Sequence, residues 1–225
     1  KRINSLPVSA TLAMAAKARE LKNQGIDIIG LSLGEPDFNT PEFIKQAAIQ
    51  AVNDNWNSYS PVDGYADLKE AICEKFKRDN KLSYQPSQIV VSTGAKQSIA
   101  NVCMVLLDPG DEVLLPAPYW VSYSAIATLA EAKSIIIPSS IETDFKITPE
   151  QLEAAITPRT KLIMFNSPNN PSGTIYTEDE YRALGKVLER YPDIYILSDE
   201  IYEHINYGTP HFSLAGIESL YDRTI

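Results

Sequence analysis

Asp199, Glu200 and Tyr202 follow directly on Tyr195-Ile196-Leu197-Ser198, an apolar run of strand length near the C-terminal end of a 225-residue chain. A parallel strand of an open α/β sheet presents ligand-binding groups where it stops, so two carboxylates and a phenol at that point are candidates to face a ligand. Asp199 and Tyr202 read as ligand-facing; a plainer alternative, that Asp199 only caps whatever follows the strand, stays open from this stretch alone. Two more loops follow apolar runs. Thr93-Gly94-Ala95-Lys96 has the form of a strand-turn-helix junction, where backbone N–H groups and a helix dipole seat a phosphate, although conformation alone also explains a glycine there. Asn166-Ser167-Pro168-Asn169-Asn170-Pro171-Ser172-Gly173 is stiffened by its prolines, holds amide side chains that donate or accept, and has X–Pro bonds that can be cis. In a parallel sheet all three loops emerge on one edge and line one pocket.

The elements that must position these loops are read from periodicity. Residues from about Ser9 to Asn23 form a helical arm stopped by Gly25, and Ile28–Leu33 reads as a strand. Thr40-Pro41 sets an N-cap and a first-turn proline for a helix through Ile44, Ala48 and Val52. Leu68, Ile72 and Phe76 recur every four residues, which predicts a helix facing a core. From Ile89 onward short apolar runs alternate with helical patterns, the signature of βα units closing a mainly parallel sheet. The predicted strands are Ile89–Val91, Val113–Leu115, Ile135–Ile137, Leu162–Phe165 and the run into Asp199. Thr148-Pro149-Glu150-Gln151 and Thr177-Glu178-Asp179-Glu180 both have the Thr-x-x-Gln/Glu form of a capping box.

Composition narrows the function classes. Hydrophobic residues make up 44% and charged residues 22% of the chain, as in an ordinary globular domain. A net charge of −9 argues against nucleic acid and anionic membrane as partners, because polyanion binding rests on clustered Lys and Arg. No apolar run reaches the roughly 18 residues of a spanning helix. Cys73 and Cys103 lie far apart in helical patterns, which supports neither a disulfide nor a Cys-x-x-Cys site and fits a reducing, cytoplasmic setting. His204 and His211 lack ligand spacing, so no metal is expected. No Gly-x-x-x-x-Gly-Lys-Ser/Thr is present, which removes the nucleoside triphosphatase that a strand ending in Asp-Glu would otherwise suggest. Trp120 and Tyr59, taken singly, suit packing as well as ligand contact.

Five motifs occur together and in order: Ser32-Leu33-Gly34-Glu35-Pro36-Asp37-Phe38, Ser92-Thr93-Gly94-Ala95-Lys96-Gln97, Pro118-Tyr119-Trp120, Asn166 to Gly173, and Ser198-Asp199-Glu200-Ile201-Tyr202. Together they closely resemble the class I, fold type I, pyridoxal-phosphate-dependent aminotransferases, the group that contains bacterial aspartate aminotransferases. The resemblance implies a three-layer α/β/α large domain with a mainly parallel sheet over 38–225, incomplete at its C-terminus, preceded over 1–37 by an arm and part of a small domain. It implies pyridoxal 5'-phosphate as cofactor and transfer of an amino group between an amino acid and a 2-oxo acid. Asp199 matches the carboxylate that pairs with the pyridine nitrogen, and Tyr202 and Asn170 match the donors to the ring's phenolic oxygen. Trp120 matches the aromatic stacked on the ring, and Gly94, Ala95 and Lys96 match the phosphate turn. Tyr59 matches a tyrosine that reaches the phosphate of the neighbouring subunit, hence a homodimer with shared active sites. Gly34, with Trp120 and Asn170, matches the substrate-binding groups.

One part of the family pattern is missing. The family's Schiff-base lysine follows the Asp-x-x-Tyr motif in a Ser-x-x-Lys context, and the sequence stops at Ile225 before any such context. Lys96, Lys161 and Lys186 are not plausible substitutes. The expectation is therefore a fragment that lacks the catalytic lysine and is inactive alone. The amino donor is not fixed by these residues; the nearest subgroup points to a dicarboxylic amino acid such as aspartate. Two alternatives are a carbon–sulfur lyase of the same fold, separated by its products pyruvate and ammonia, and a non-catalytic aminotransferase-like binding domain of a regulator.

Overall fold

The computed structural model describes residues 2–6, 10–31, 34, 36–205 and 207–225. They gather into two units, Pro7–Pro61 and Lys1–Leu6 with Val62–Ile225. The first contains α1 (Ala10–Asn23) and α2 (Glu42–Asn53). The second opens with α3 (Ala66–Lys75) and α4 (Ala95–Leu106) and continues as β1 (Glu112–Pro116), α5 (Ser122–Leu129), β2 (Lys133–Ile137), α6 (Pro149–Ala155), β3 (Thr160–Asn166), α7 (Glu178–Leu188) and β4 (Tyr195–Asp199).

The four strands lie in the order β2-β1-β3-β4, and every neighbouring pair is parallel. Successive side chains on a strand point to opposite faces, and here both faces are covered. Val113, Leu115, Leu162, Met164 and Leu197 pack with Ile99 and Cys103 of α4 and Tyr123 and Ile126 of α5. Leu114, Ile163, Phe165 and Ile196 pack with Leu152 of α6 and Tyr181, Leu184 and Leu188 of α7. This is the expected three-layer α/β/α arrangement. Double coverage is why these strands read as unbroken apolar runs, each buried Leu or Ile contributing about 1.5–3 kcal/mol relative to exposure. The order reverses between β1 and β3, which opens a crevice beyond their carboxyl ends.

Both predicted capping boxes form. Thr148 Oγ1 accepts from the Gln151 N–H at 3.3 Å while the Thr148 N–H donates to Gln151 Oε1 at 2.9 Å. At the start of α7, Thr177 Oγ1 accepts from the Glu180 N–H at 3.3 Å and the Thr177 N–H donates to Glu180 Oε2 at 2.7 Å. Each box satisfies N–H groups that a helix start leaves without intrahelical partners.

Several expectations are corrected. Ile89–Val91 is not a strand: Val90 is exposed, and the Val91 N–H donates to the Asp63 carbonyl at 3.0 Å instead of to a neighbouring strand. Gly64 sits against this segment at φ +103°, and a Cβ there would lie 2.6 Å from Val91 Cγ2, so both dihedral and space require glycine. Ile28–Leu31 carries no ladder, and Ile29 and Leu31 are exposed; extended backbone becomes a strand only where another chain edge takes its polar groups. Leu33, the predicted end of that strand, and Ser9, the predicted start of the first helix, lie outside the described residues. Thr40 is not the cap of α2, because Pro41 itself occupies the N-cap position with no side-chain cap; proline has no N–H to satisfy there. The α3 face is only half-buried at Ile72, and Leu68 is exposed, so this helix rests on the unit's surface rather than in its core.

At the edge of the sheet away from the strand C-termini, Glu112 is buried at the start of β1. It accepts from Thr157 Oγ1 at 2.6 Å and from Arg159 Nη2 at 2.9 Å, with Lys133 Nζ 3.9 Å away, so one carboxylate joins the starts of β1, β2 and β3. The Thr157 hydroxyl and then the Arg159 guanidinium hold its carboxyl below the usual carboxylate range. A depressed carboxyl pKa contributes stability that is fully present above the unfolded value of about 4.3 and is lost as pH falls through the folded value. Glu112→Gln is therefore expected to be less stable than the wild type at pH 7, with the gap closing as pH drops below about 5. Urea unfolding at a series of pH values checks this; a gap that stays constant across the series removes the clamp.

Candidate functional site

The carboxyl ends of β1, β3 and β4 meet at Asn166, the last residue of β3. Its Nδ2 donates to the Asp199 carbonyl at 2.9 Å, and its Oδ1 accepts from the Asn170 N–H at 2.7 Å. The Ser167 N–H also donates to the Asp199 carbonyl, at 3.2 Å. One side chain thus fixes both the end of β4 and the loop after β3. Asn169 joins that loop to the turn after β1, with Nδ2 donating to the Pro118 carbonyl at 3.2 Å and Oδ1 accepting from Ser172 Oγ at 2.8 Å. The peptide bonds before Pro118, Pro168 and Pro171 are cis. On this frame Asn170 Nδ2 donates to the Tyr202 hydroxyl at 3.3 Å, which pairs an amide and a phenol beside Asp199.

Asp199 is held from a second direction. Tyr123, fully buried in α5, donates its hydroxyl to Asp199 Oδ2 at 2.5 Å. Burial first, and then the Asp199 charge, push the Tyr123 phenol well above its ordinary pKa, so at neutral pH it is a donor. Among the described residues, the other carboxylate oxygen, Oδ1, accepts only a long bond from the Ile201 N–H, 3.3 Å. Tyr123 packs edge-on against Trp120, with centroids 5.6 Å apart. The Lys96 ammonium lies 4.9 Å from the Trp120 centroid, which brings the start of α4 to the same place. A continuous series of contacts therefore runs from Lys96 through Trp120 and Tyr123 to Asp199, and on through Asn166 and Asn170 to Tyr202.

Gly94 is the N-cap of α4 at φ +83°. A Cβ there would meet nothing within 4 Å, so the requirement for glycine comes from the dihedral and not from space. The Gly94 N–H is already taken by the Ser92 carbonyl at 2.8 Å and the Thr93 N–H by Gln97 Oε1 at 2.6 Å. The Ala95 and Lys96 N–H groups come next, in the first turn, where helix geometry supplies no acceptor.

Glu200 turns away from Asp199. Its Oε1 accepts from Ser198 Oγ and Ser213 Oγ, both at 2.7 Å, and its Oε2 lies 3.1 Å from His211 Nε2. Glu200, Glu203 and His211 offer ligand atoms within 4.8 Å of one another, but the Lys75 ammonium is paired with Glu203 and supplies the positive charge that group would otherwise seek.

A family model for class I and II aminotransferases matches residues 26–223. The chain belongs to that family. It is 53% identical over 205 residues to an aspartate/prephenate aminotransferase of Nitrosomonas europaea, covering 91% of this chain and 52% of that protein. It is 50% identical over 227 residues to an aspartate aminotransferase of Bacillus subtilis, covering 100% of this chain and 58% of that one. Among solved structures, the aspartate aminotransferase from Rhizobium meliloti superposes with a TM-score of 0.96 at 46% identity, over 100% of this chain and 56% of that chain. An aspartate aminotransferase from Thermus thermophilus with maleate gives 0.94 at 42% identity, over 99% and 58%. The chain thus spans little more than half the length of these relatives.

Within this chain, Lys96, Trp120, Asn170, Asp199 and Tyr202 are linked by contacts, and Gly94 and Ala95 adjoin Lys96. Gly34 and the exposed Tyr59 belong to the other unit, and Ser32, Leu33 and Glu35 lie outside the described residues. Sequence reasoning missed Tyr123 and the bracing role of Asn166. Tyr123 stands three residues after Trp120 at the start of a helix, a spacing that places two side chains on one face. Asn166 is the polar end of an apolar strand, as Asp199 is. Tyr123→Phe is expected to cost about 1–2 kcal/mol, because it removes one hydrogen bond to a half-buried carboxylate while keeping the ring. Denaturant unfolding measures this, and an unchanged midpoint would mean that the bond makes no net contribution.

Proposed function

We propose that the whole protein transfers an amino group between an L-amino acid and a 2-oxo acid using pyridoxal 5'-phosphate, with a dicarboxylic amino acid such as aspartate as donor. The observation that carries this reading is the Asp199 carboxylate, braced on Oδ2 by Tyr123 and lightly engaged on Oδ1, beside the Asn170–Tyr202 pair. Family membership, the names of the relatives and the dicarboxylate maleate with the Thermus thermophilus enzyme support it.

The donor set fits the cofactor group by group. A carboxylate suits a protonated ring nitrogen, a phenol with an amide suits an anionic ring oxygen, a broad indole suits a ring face, and a helix start beside an ammonium suits a phosphate. When bound, the cofactor supplies an electron-withdrawing ring that accepts the electron pair left as the substrate loses its α-proton. Asp199 Oδ1, the less engaged oxygen, keeps the ring nitrogen protonated, and Tyr123 keeps the carboxylate in place while it does so. The Tyr202 hydroxyl and the Asn170 amide donate to the phenolic oxygen and stabilise its negative charge. Trp120 orients the ring by its face. The Ala95 and Lys96 N–H groups, with Gly94 setting the turn, seat the phosphate.

Substrate contacts in this reading are Asn170, Trp120 and the backbone at Gly34. Tyr59 reaches the phosphate of a neighbouring subunit, which makes the working unit a homodimer with shared sites, and the setting is the cytoplasm.

The test uses the whole protein with pyridoxal 5'-phosphate and an amino acid–2-oxo acid pair. The expected products are the donor's 2-oxo acid and a new amino acid in equal amounts; release of pyruvate and ammonia instead would overturn transfer in favour of elimination. Asp199→Ala is expected to weaken cofactor binding and to lower turnover by at least about a hundredfold. Unchanged turnover removes Asp199 from the site.

A further inference from the structure

The turn that carries Tyr202 leaves the sheet after Asp199 with little apolar packing, since Ile201 and Ile205 are exposed. Within it the Glu203 N–H donates to the Glu200 carbonyl at 2.9 Å and the Ile205 N–H to the Tyr202 carbonyl at 2.8 Å. The bond from Asn170 to Tyr202, at 3.3 Å, lies beyond the usual length range for a hydroxyl acceptor and is a weak restraint by itself.

Glu203, next to Tyr202, has a side chain only 15% exposed and turned toward α3. Its Oε1 is paired with the ammonium of Lys75, the last residue of α3, and its Oε2 accepts from Asn80 Nδ2 at 2.9 Å. Lys75 Nζ also donates to Asn80 Oδ1 at 2.9 Å, which closes a triangle of three side chains. The Lys75 ammonium stands 5.0 Å from the Phe76 centroid. Phe76 in turn packs edge-on against Tyr84, and Tyr84 stacks on Tyr221, so the cation is fixed by an aromatic column. Burial opposes ionisation of Glu203, but the hydrogen bonds from Lys75 and Asn80 outweigh it and hold the carboxyl below its ordinary range. The other titratable groups nearby, among the described residues, are His204, 3.6 Å from Glu203 Oε1, Asp79, 3.9 Å from His204, and Glu200 and His211, whose side-chain ligand atoms lie within 4.8 Å of that of Glu203.

We infer that the Lys75–Asn80–Glu203 triangle is a positioning device for Tyr202, tying the turn to α3 so that the Tyr202 hydroxyl stays with the Asn170 amide beside Asp199. The inference rests on the reading of Tyr202 as a donor to the phenolic oxygen of pyridoxal 5'-phosphate. Glu203 and Lys75 act through the backbone on either side of the turn and need no contact with cofactor or substrate. Loss of the pair frees the turn, and an anionic ring oxygen that loses its donor is protonated more readily.

The experiment compares wild type, Glu203→Gln and the charge-exchanged Lys75→Glu/Glu203→Lys in the whole protein. It reads the dissociation constant of pyridoxal 5'-phosphate and the pH midpoint of its visible absorbance when bound. The expected result for Glu203→Gln is about fivefold weaker cofactor binding and an upward shift of the midpoint, with both recovering toward wild type in the exchanged pair. Wild-type binding and midpoint in Glu203→Gln overturn the inference. So does failure of the exchanged pair to recover either quantity while its circular dichroism matches the wild type. A wild-type protein that does not bind pyridoxal 5'-phosphate overturns the cofactor reading itself, and is told apart from the other outcomes because it shows before any substitution is made.

Discussion

Asn166 is where the sheet becomes a site. A parallel strand ends with backbone groups that its neighbours no longer satisfy, and three such ends converge here. The Asn166 amide meets two of these demands at once, donating to the Asp199 carbonyl and accepting from the Asn170 N–H. Two side chains with chemical potential, Asp199 and Asn170, are thereby held by one that has none of its own. The apolar layers on both faces fix where β3 and β4 lie, and Asn166 converts that packing into a fixed distance between the carboxylate and the amide.

Around this junction the restraint comes from different materials. Asp199 is gripped by a buried phenol from α5, a helix that also buries Ile126 and Ala127 against the sheet. Trp120 leans on that phenol and under the Lys96 ammonium, so the aromatic face is set by packing on one side and by charge on the other. Tyr202 is half-buried and depends on longer and more polar links. Rigidity therefore falls from Asp199 to Tyr202. The carboxylate proposed to keep the ring nitrogen protonated is the more constrained of the two, and the phenol proposed to tune an oxygen the less.

Much of this was legible in the sequence because parallel strands with two buried faces leave continuous apolar runs, and because capping boxes and strand-end polar residues are local signals. Val113–Leu115, Leu162–Phe165, Thr177 with Glu180 and Asp199 were readable for that reason. Ile89–Val91 was not, since its composition is that of a strand while its hydrogen bonds are decided by Asp63 and Gly64, residues outside the run. Thr40 misled in a similar way: the Thr-Pro pair signals a helix start, but which of the two takes the cap position depends on backbone angles. Tyr123, Asn166 and the Lys75–Glu203 pair escaped because their partners lie 76, 33 and 128 residues away in sequence.

The two edges of the sheet have different work. At the amino ends Glu112 gathers three strands, far from the convergence at the carboxyl ends. A broad survey of substitutions that scored cellular abundance and specific activity separately should therefore divide the molecule along its strands, with damage at one edge registering as missing protein and damage at the other as protein present but idle. Tyr123 belongs to the buried layer by its ring and to the carboxyl edge by its hydroxyl, and it is the position where those two kinds of loss would coincide.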